Sequence, residues 1–367
     1  LTTPVLQFGT SRFLQAHADL FFAEAESPLA VTVVQSSGDA SRAKRLGALA
    51  APEGYPVRIR GLEAGTVIDE ERRVTSVKRT LSTATDWAEV TRVFCEEAEV
   101  VISNTGDAGY APRPDDTAPD FAQGMSFPAK LYHLLAARFA AGAEPLTVMP
   151  MELVPENGRV LRARVLEIAA ANAAAPALVD WIGQQVVWAS SLVDRIVSEP
   201  LEPAGAVAEP YALWAIEAAP GVTAPCVHPC VQLVPDLEEI ERLKLHILNL
   251  GHTSLVDMWQ RRGADPSAVV RDFIAIPEVR AELDAIFAEE VLPAFAAAGR
   301  GTEAEAYLAT TLERFANPFL DHRISDIAQN HAQKVARRIV AFMDWAKANG
   351  GPAGMPRLEA ITARSGQ

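Results

Sequence analysis

The periodicity of this chain changes once along its length, and that change limits the folds open to it. Up to about Pro235, short β-rich runs alternate with longer helical stretches; beyond it the pattern is almost continuously helical. Val5–Phe8, Ala30–Gln35, Val100–Ser103 and Thr147–Met151 are apolar runs of strand length, as strands buried on both faces require. The stretches around Phe13–Ala25, Leu131–Ala141 and Val160–Ala171 carry helical spacing. Strands separated by helices imply βαβ units, hence a parallel sheet with helices on both faces. Val57–Val77 breaks the alternation and reads as an antiparallel insertion punctuated by Gly61 and Gly65. In the second half, helices are expected over Leu237–Arg262, Pro266–Phe273, Pro277–Ala298, Thr302–Phe315 and Ile324–Ala348. The expectation is an α/β domain over residues 1–235, then a mainly α-helical domain over 236–367.

Charge and cysteine usage narrow the partners. With 33 basic against 47 acidic residues the net charge is −14, which disfavours nucleic acid or an anionic membrane surface as the main partner. No apolar run approaches the length of a membrane span, and Leu1 to Phe8 reads as a buried strand rather than a secretion signal. The three cysteines, Cys95, Cys226 and Cys230, are too few and too uneven for a disulfide framework, so a cytoplasmic setting is expected. Cys226-Val-His228-Pro-Cys230 brings three potential zinc ligands together, but no second Cys/His pair completes a structural site.

The first strand runs into Gly9-Thr10-Ser11-Arg12-Phe13. A glycine between a strand and a helix lets the backbone approach a pyrophosphate, as in Rossmann-like dinucleotide domains. A plain strand-to-helix turn would look the same, because Ser11 stands where the usual fingerprint has its second glycine. Ser103-Asn104-Thr105-Gly106, after another strand, is a second candidate phosphate loop. The second strand ends in Gln35-Ser36-Ser37 instead of an acidic residue for the adenosine ribose, and Arg42, Lys44 and Arg45 follow. NAD and NADP therefore both fit these residues.

Lys244-Leu-His-Ile-Leu-Asn249-Leu-Gly-His252 is the strongest local signal. At about 100° per residue, Asn249 lies about 140° and His252 about 80° around the helix from Lys244, so the three share one broad face. His246 points the other way. Alcohol oxidation needs a base for the hydroxyl proton, a role open to a lysine whose surroundings favour the neutral amine. Asn249 and His252 would hydrogen-bond the oxygen as its charge changes. A snorkelling lysine with a capping Asn and a core His is the structural alternative.

Taken together, these two ends resemble the mannitol dehydrogenase family of polyol-specific long-chain dehydrogenases. The shared pattern is Gly9-x-Ser11-x-Phe13-x-x-Ala16-His17 at the start and Lys244-x4-Asn249-x2-His252 later. In order between and after them stand Ser103-Asn104-Thr105 with Ala108-Gly109, Pro128-Ala129-Lys130-Leu131, Val193-Asp194-Arg195-Ile196-Val197, Arg314-Phe315-x-Asn317-Pro318 and Lys334. Pro150-Met151-Glu152-Leu153-Val154 is most similar to the branch that interconverts tagaturonate and altronate, with Met151 in place of a cysteine. Mannitol-type members carry an oxygen-binding Asn where this chain has Leu153.

The resemblance implies a metal-free NAD-dependent oxidoreductase acting on a small-molecule sugar acid or polyol. It implies Lys244, Asn249 and His252 as catalytic residues, and Gly9, Thr10, Ser11, Arg12, Phe13, Gln35, Asn104 and Thr105 at the cofactor. Arg314, Lys334 and Asp194 would contact substrate, with Arg314 and Lys334 reading the acid. Arg337 and Arg338 read instead as a solvated helix face. Glu152 would either tune Lys244 or serve as a strand-end carboxylate with no catalytic part. Fructuronate or mannitol as substrate, and an NAD-binding redox sensor without turnover, are the competing functions. Oligomeric state is left at monomer or small homo-oligomer.

Overall fold

The computed structural model describes residues 2–106 and 109–366, without the side chain of Arg42; Leu1, and Ala108 of the loop motif, lie outside the described residues. The chain forms two compact units. The first comprises Leu1–Ile59, Glu70–Ala208 and Ala212–Leu237; the second comprises Arg60–Asp69, Glu209–Tyr211 and Glu238–Gln367.

The first unit is built on six parallel strands: β1 (Val5–Phe8), β2 (Val31–Gln35), β5 (Val77–Ser82), β6 (Val100–Ser103), β7 (Thr147–Pro150) and β8 (Val187–Trp188). Their spatial order is β5-β2-β1-β6-β7-β8. This is a doubly wound, Rossmann-like arrangement that reverses direction between β1 and β6. β1 and β2 are buried at every position, which is why both read as uninterrupted apolar runs. Helices Trp87–Glu96, Phe127–Ala140, Asn157–Ala171 and Pro176–Gln184 contribute to the core around Phe8, Phe94, Leu134 and Ile182. The helix expected from Leu131 begins at Phe127, because Ser126 caps it and Pro128 occupies its first turn.

The expected insertion is a hairpin of β3 (Tyr55–Glu63) and β4 (Thr66–Val74) that turns at Ala64-Gly65. Gly61 does not interrupt it. It lies inside β3, where an added Cβ would come within 2.6 Å of Pro210 Cδ. β10 (Val197–Pro200) and β11 (Ala206–Ala208) extend the same sheet, and β9 (Ser191–Asp194), β12 (Leu213–Glu217) and β13 (Val231–Val234) form a third.

Asp19, in the helix Ala18–Glu24, is fully buried and accepts from the Tyr55 hydroxyl at 2.7 Å. Burial pushes its carboxyl up to about 7, against the lowering effect of the Tyr55 and Gln7 donors. The folded chain thus keeps a proton that the unfolded chain, with its carboxyl near 3.8, releases. This group's contribution is full below the unfolded value and is lost as pH rises through about 7. Asp19→Asn should therefore flatten Tm against pH across that window by about a few degrees. Parallel melting curves for the two proteins would refute the assignment.

The second unit is helical around a core that includes Leu250, Phe287, Phe295, Phe315 and Phe342. Three expected long helices each contain a π-helical segment: Lys244–Asn249 between Leu237–Leu243 and Leu250–Arg261, Phe287–Val291 before Leu292–Ala297, and Ala336–Val340 between His331–Val335 and Ala341–Ala348. Two expectations change. The helix expected over Pro266–Phe273 spans only Val270–Ile274, and Asn330 in the left-handed region breaks Ile324–Ala348 after Ile324–Ile327. Pro356–Ser365 is an additional helix, with Leu358 and Ile361 buried at a three-residue spacing. Among the described residues, no helix is long and apolar enough to cross a membrane.

Candidate functional site

In the first unit a cavity of about 470 Å³ opens where Gly9, Thr10, Ser11 and Arg12 follow β1, and Asn104, Thr105 and Gly106 follow β6. These are the carboxyl ends of the two strands flanking the reversal, where open α/β sheets bind ligands. Gly9 has φ +125°, and a Cβ there would stand 2.6 Å from the Asn104 carbonyl oxygen. The position requires glycine, both for its backbone and for the closeness of the two loops. Ser11 caps the helix Arg12–Gln15 by accepting from the Leu14 amide, and its hydroxyl donates to Asn104 Oδ1 at 3.1 Å. Asn104 in turn donates to the Met151 carbonyl at 3.0 Å.

Glu152 explains the shape of the second loop. Its Oε1 accepts from the Thr105 amide (2.9 Å) and hydroxyl (3.0 Å). Its Oε2 accepts from Ser103 Oγ (3.0 Å) and the Tyr110 hydroxyl (2.7 Å). The strand-end carboxylate is thus the anchor of the Asn104-Thr105 loop. Leu153, its neighbour, is 74% exposed.

Other expected cofactor residues are committed differently. Arg12 lines the cavity, but its guanidinium donates to the Leu201 and Gly205 carbonyls at 2.8 and 2.9 Å and pairs with Glu202. Gln35 also lines it, with its amide bonded to Ser37, Asp39 and Ser82. Phe13 does not line it; its ring stacks on His17 at 4.7 Å. His17 donates from Nε2 to the Leu213 carbonyl, and burial lowers it to about 3. Asp194, last in β9, is buried close enough to His17 for its charge, like that of Arg195, to act on the ring.

Cys226, His228 and Cys230 do not gather as metal ligands; among the described residues no group of three or more His, Cys, Asp or Glu is placed to hold a metal. His228 accepts from the Cys230 amide at 3.1 Å and stacks on Phe21. Burial opposes its charge, but the Cys230 thiol and Glu24 outweigh that and raise it to about 9.

In the second unit Lys244 opens a π segment and Asn249 ends it, and the Leu250 amide bonds the Leu245 carbonyl five residues back. That closure places residues five apart about one turn from each other. Lys244 and Asn249 are therefore closer in phase than the α-helical count allows. Both are half-buried, and His252, one turn on, is buried. Among the described residues the Asn249 amide and the His252 ring make no hydrogen bond. The ring packs on Phe315 at 4.4 Å and meets His322 edge-on at 5.1 Å. Burial first, then the positive fields of His322, Arg338, Arg314 and Lys334, hold His252 well below its usual range, so its ring is neutral. His246 faces elsewhere, against Phe342, Trp345 and the Arg338 carbonyl.

Arg314, expected at the substrate, is paired within the protein. Its fork donates to both oxygens of buried Glu209, at 3.0 and 2.8 Å, and its guanidinium lies over Tyr211. A substrate acid would have to displace that carboxylate. Arg338, read from sequence as solvated, is half-buried and donates to Thr253 Oγ1 at 3.2 Å, whereas Arg337 is exposed. The sequence gives no sign of Glu209 and reads Arg338 as solvated because their partners lie 105 and 85 residues away.

The fold and these residues define a dinucleotide-type sheet domain joined to a helical domain with a Lys-Asn-His helix. A family model for the mannitol dehydrogenase Rossmann domain matches residues 3–225, and one for the mannitol dehydrogenase C-terminal domain matches residues 236–359. The chain belongs to the mannitol dehydrogenase family, and hence to the oxidoreductases. It is 29% identical to an altronate oxidoreductase of Halalkalibacterium halodurans, over 94% of this chain and 71% of that protein. It is equally identical to one of Escherichia coli O1:K1 / APEC, over 94% and 76%. Among solved structures it is similar in fold to a D-sorbitol dehydrogenase (TM-score 0.82, 21% identity, 100% of this chain and 80% of that one). It is also similar to Pseudomonas fluorescens mannitol 2-dehydrogenase in ternary complex with NAD and D-mannitol (TM-score 0.71, 20% identity, 99% and 79%).

Proposed function

We propose that the chain is an NAD-dependent oxidoreductase that interconverts tagaturonate and altronate, with Lys244 as the acid/base. The observation that carries this reading is the helix that Lys244 opens, on which, among the described residues, neither the Asn249 amide nor the ring of buried, neutral His252 is hydrogen-bonded. Two polar side chains left open on one helix suit a ligand oxygen. The NAD reading draws on Gly9, whose missing side chain leaves the two loops of the cavity in contact. When bound, the nicotinamide gives or takes the hydride.

In the reductive direction Lys244 delivers a proton to the oxygen of the reduced carbon. Asn249 donates from its amide to the same oxygen, and neutral His252 donates an N–H without adding charge. Asp194 remains a candidate substrate contact of the first unit. Among the described residues no acidic side chain lines the cavity and Arg45 does, which leaves room for NADP as well. The tagaturonate assignment follows from the altronate oxidoreductase relatives and from Leu153, which cannot supply the amide that a mannitol-type site uses.

NADH oxidation with tagaturonate, fructuronate and fructose tests this directly. Turnover of tagaturonate well above the other two is the expected result. Turnover of fructose alone would keep the chemistry and overturn the acid substrate. NADH binding without turnover of any of the three would favour a redox-sensing role.

A further inference from the structure

We propose that Arg338, with Lys334 and His322, forms a carboxylate site in the second unit, and that Arg338 is the residue selecting an acid over a neutral sugar. The inference rests on the sugar-acid reading and deepens it. Arg338 lies in the π segment Ala336–Val340, and its guanidinium donates to a neutral oxygen, Thr253 Oγ1, at 3.2 Å. Lys334, four residues earlier, donates to another neutral oxygen, the Ile327 carbonyl, at 2.6 Å. Among the described residues neither has a carboxylate within ion-pair distance. The contrast with Arg314, which is closed by Glu209, is direct.

A partly desolvated cation without a counter-charge is costly, and here the costs compound. Burial lowers Arg338 and Lys334, and the repulsion of Arg337 on Arg338 and of Arg338 on Lys334 lowers them further. Their fields also reach His252 and His331, and that of Lys334 reaches His322. Two acids act on the histidines of this set. Asp326 acts on His322, and Asp257, which acts on His331, is held by Arg261 and Arg364 at 2.9 and 2.8 Å. A bound carboxylate relieves this whole set at once. Arg338 is suited to the task because a guanidinium already anchored by one donor to Thr253 presents its remaining donors in a fixed fork.

The test is isothermal titration of the NAD-loaded protein with altronate and with altritol, its neutral counterpart, using wild type, Arg338→Met and Arg338→Lys. Wild type should bind altronate more tightly than altritol. Arg338→Met should weaken altronate about 10- to 100-fold with altritol changed less than about twofold, and Arg338→Lys should recover part of the loss. Equal weakening of both ligands, unchanged altronate binding, or no altronate binding by wild type overturns the site. If Arg338→Met loses altronate selectively while wild type turns over a different acid, the carboxylate site stands and only the tagaturonate assignment falls.

Discussion

Lys244→Ala is expected to lower kcat for the keto acid by about 10²- to 10⁴-fold while leaving NADH affinity within about twofold. In the proposed mechanism the proton that must reach the new hydroxyl has no other source in the Lys-Asn-His set: a primary amide does not titrate, and His252 is held neutral by burial and by the positive fields around it, those of Arg338, Arg314 and Lys334 among them. Removal of the amine therefore takes away the transfer itself and not just an orienting contact. Lys244→Arg should fail almost as badly, because a guanidinium keeps its charge but does not give up its proton near neutral pH. Added small primary amines should restore part of the activity of Lys244→Ala and none of that of Lys244→Arg. Retention of more than about a tenth of wild-type kcat in Lys244→Ala would remove the lysine from the chemistry.

The π geometry bears on how the helix does this. A regular helix running from Leu237 to Arg261 would set Lys244 and Asn249 about 140° apart. The wider turn over Lys244–Asn249 reduces that separation, as the proposed shared oxygen contact requires, while His252 stays on the adjoining regular turn. Sequence periodicity could not reveal the segment. The extra residue in the turn is accommodated by packing against distant elements, and no local residue marks it. The same blindness explains Arg338. Arg337 and Arg338 look alike in sequence, and only the packing of their helix against the one that carries Thr253 leaves one exposed and the other half-buried against Thr253.

What was legible came from short-range physics. β1 and β6 are apolar at nearly every position because strands at the centre of a parallel sheet are covered on both faces, so their bounds could be read directly. Gly9 was legible because a glycine at a strand end is a backbone statement. Glu152 was visible as a strand-end acid, but its four donors come from residues 42 to 49 positions away and had no local signature. Glu209 is a similar case: it belongs to the short segment Glu209–Tyr211, which clusters with the helical unit, so the partner of Arg314 lay outside the span where the eye looks for it. Pro356–Ser365 did carry a readable signal, a proline in the first turn followed by Leu358 and Ile361.

Gly9→Val should abolish cofactor binding more completely than any change to a side chain lining the cavity. Two independent costs fall on the same atom. With φ at +125° the backbone lies where branched residues are strongly disfavoured, and the Cβ would press to 2.6 Å on the Asn104 carbonyl oxygen and 3.4 Å on Leu14. Neither neighbour can yield cheaply. Asn104 is tied to Ser11 and Met151, and Leu14 is fully buried. The loop after β6 must therefore move away from the loop after β1, which opens the floor of the cavity. The expected result is a rise of about 100-fold or more in the NADH dissociation constant, with Gly9→Ala intermediate, measured by quenching of protein fluorescence. Far-ultraviolet circular dichroism should stay near wild type, because the core around Phe8, Phe94 and Leu134 does not include the loop. Wild-type NADH affinity in Gly9→Val would show that the cavity between these loops is not where the dinucleotide binds, and the NAD assignment would then lose its structural footing.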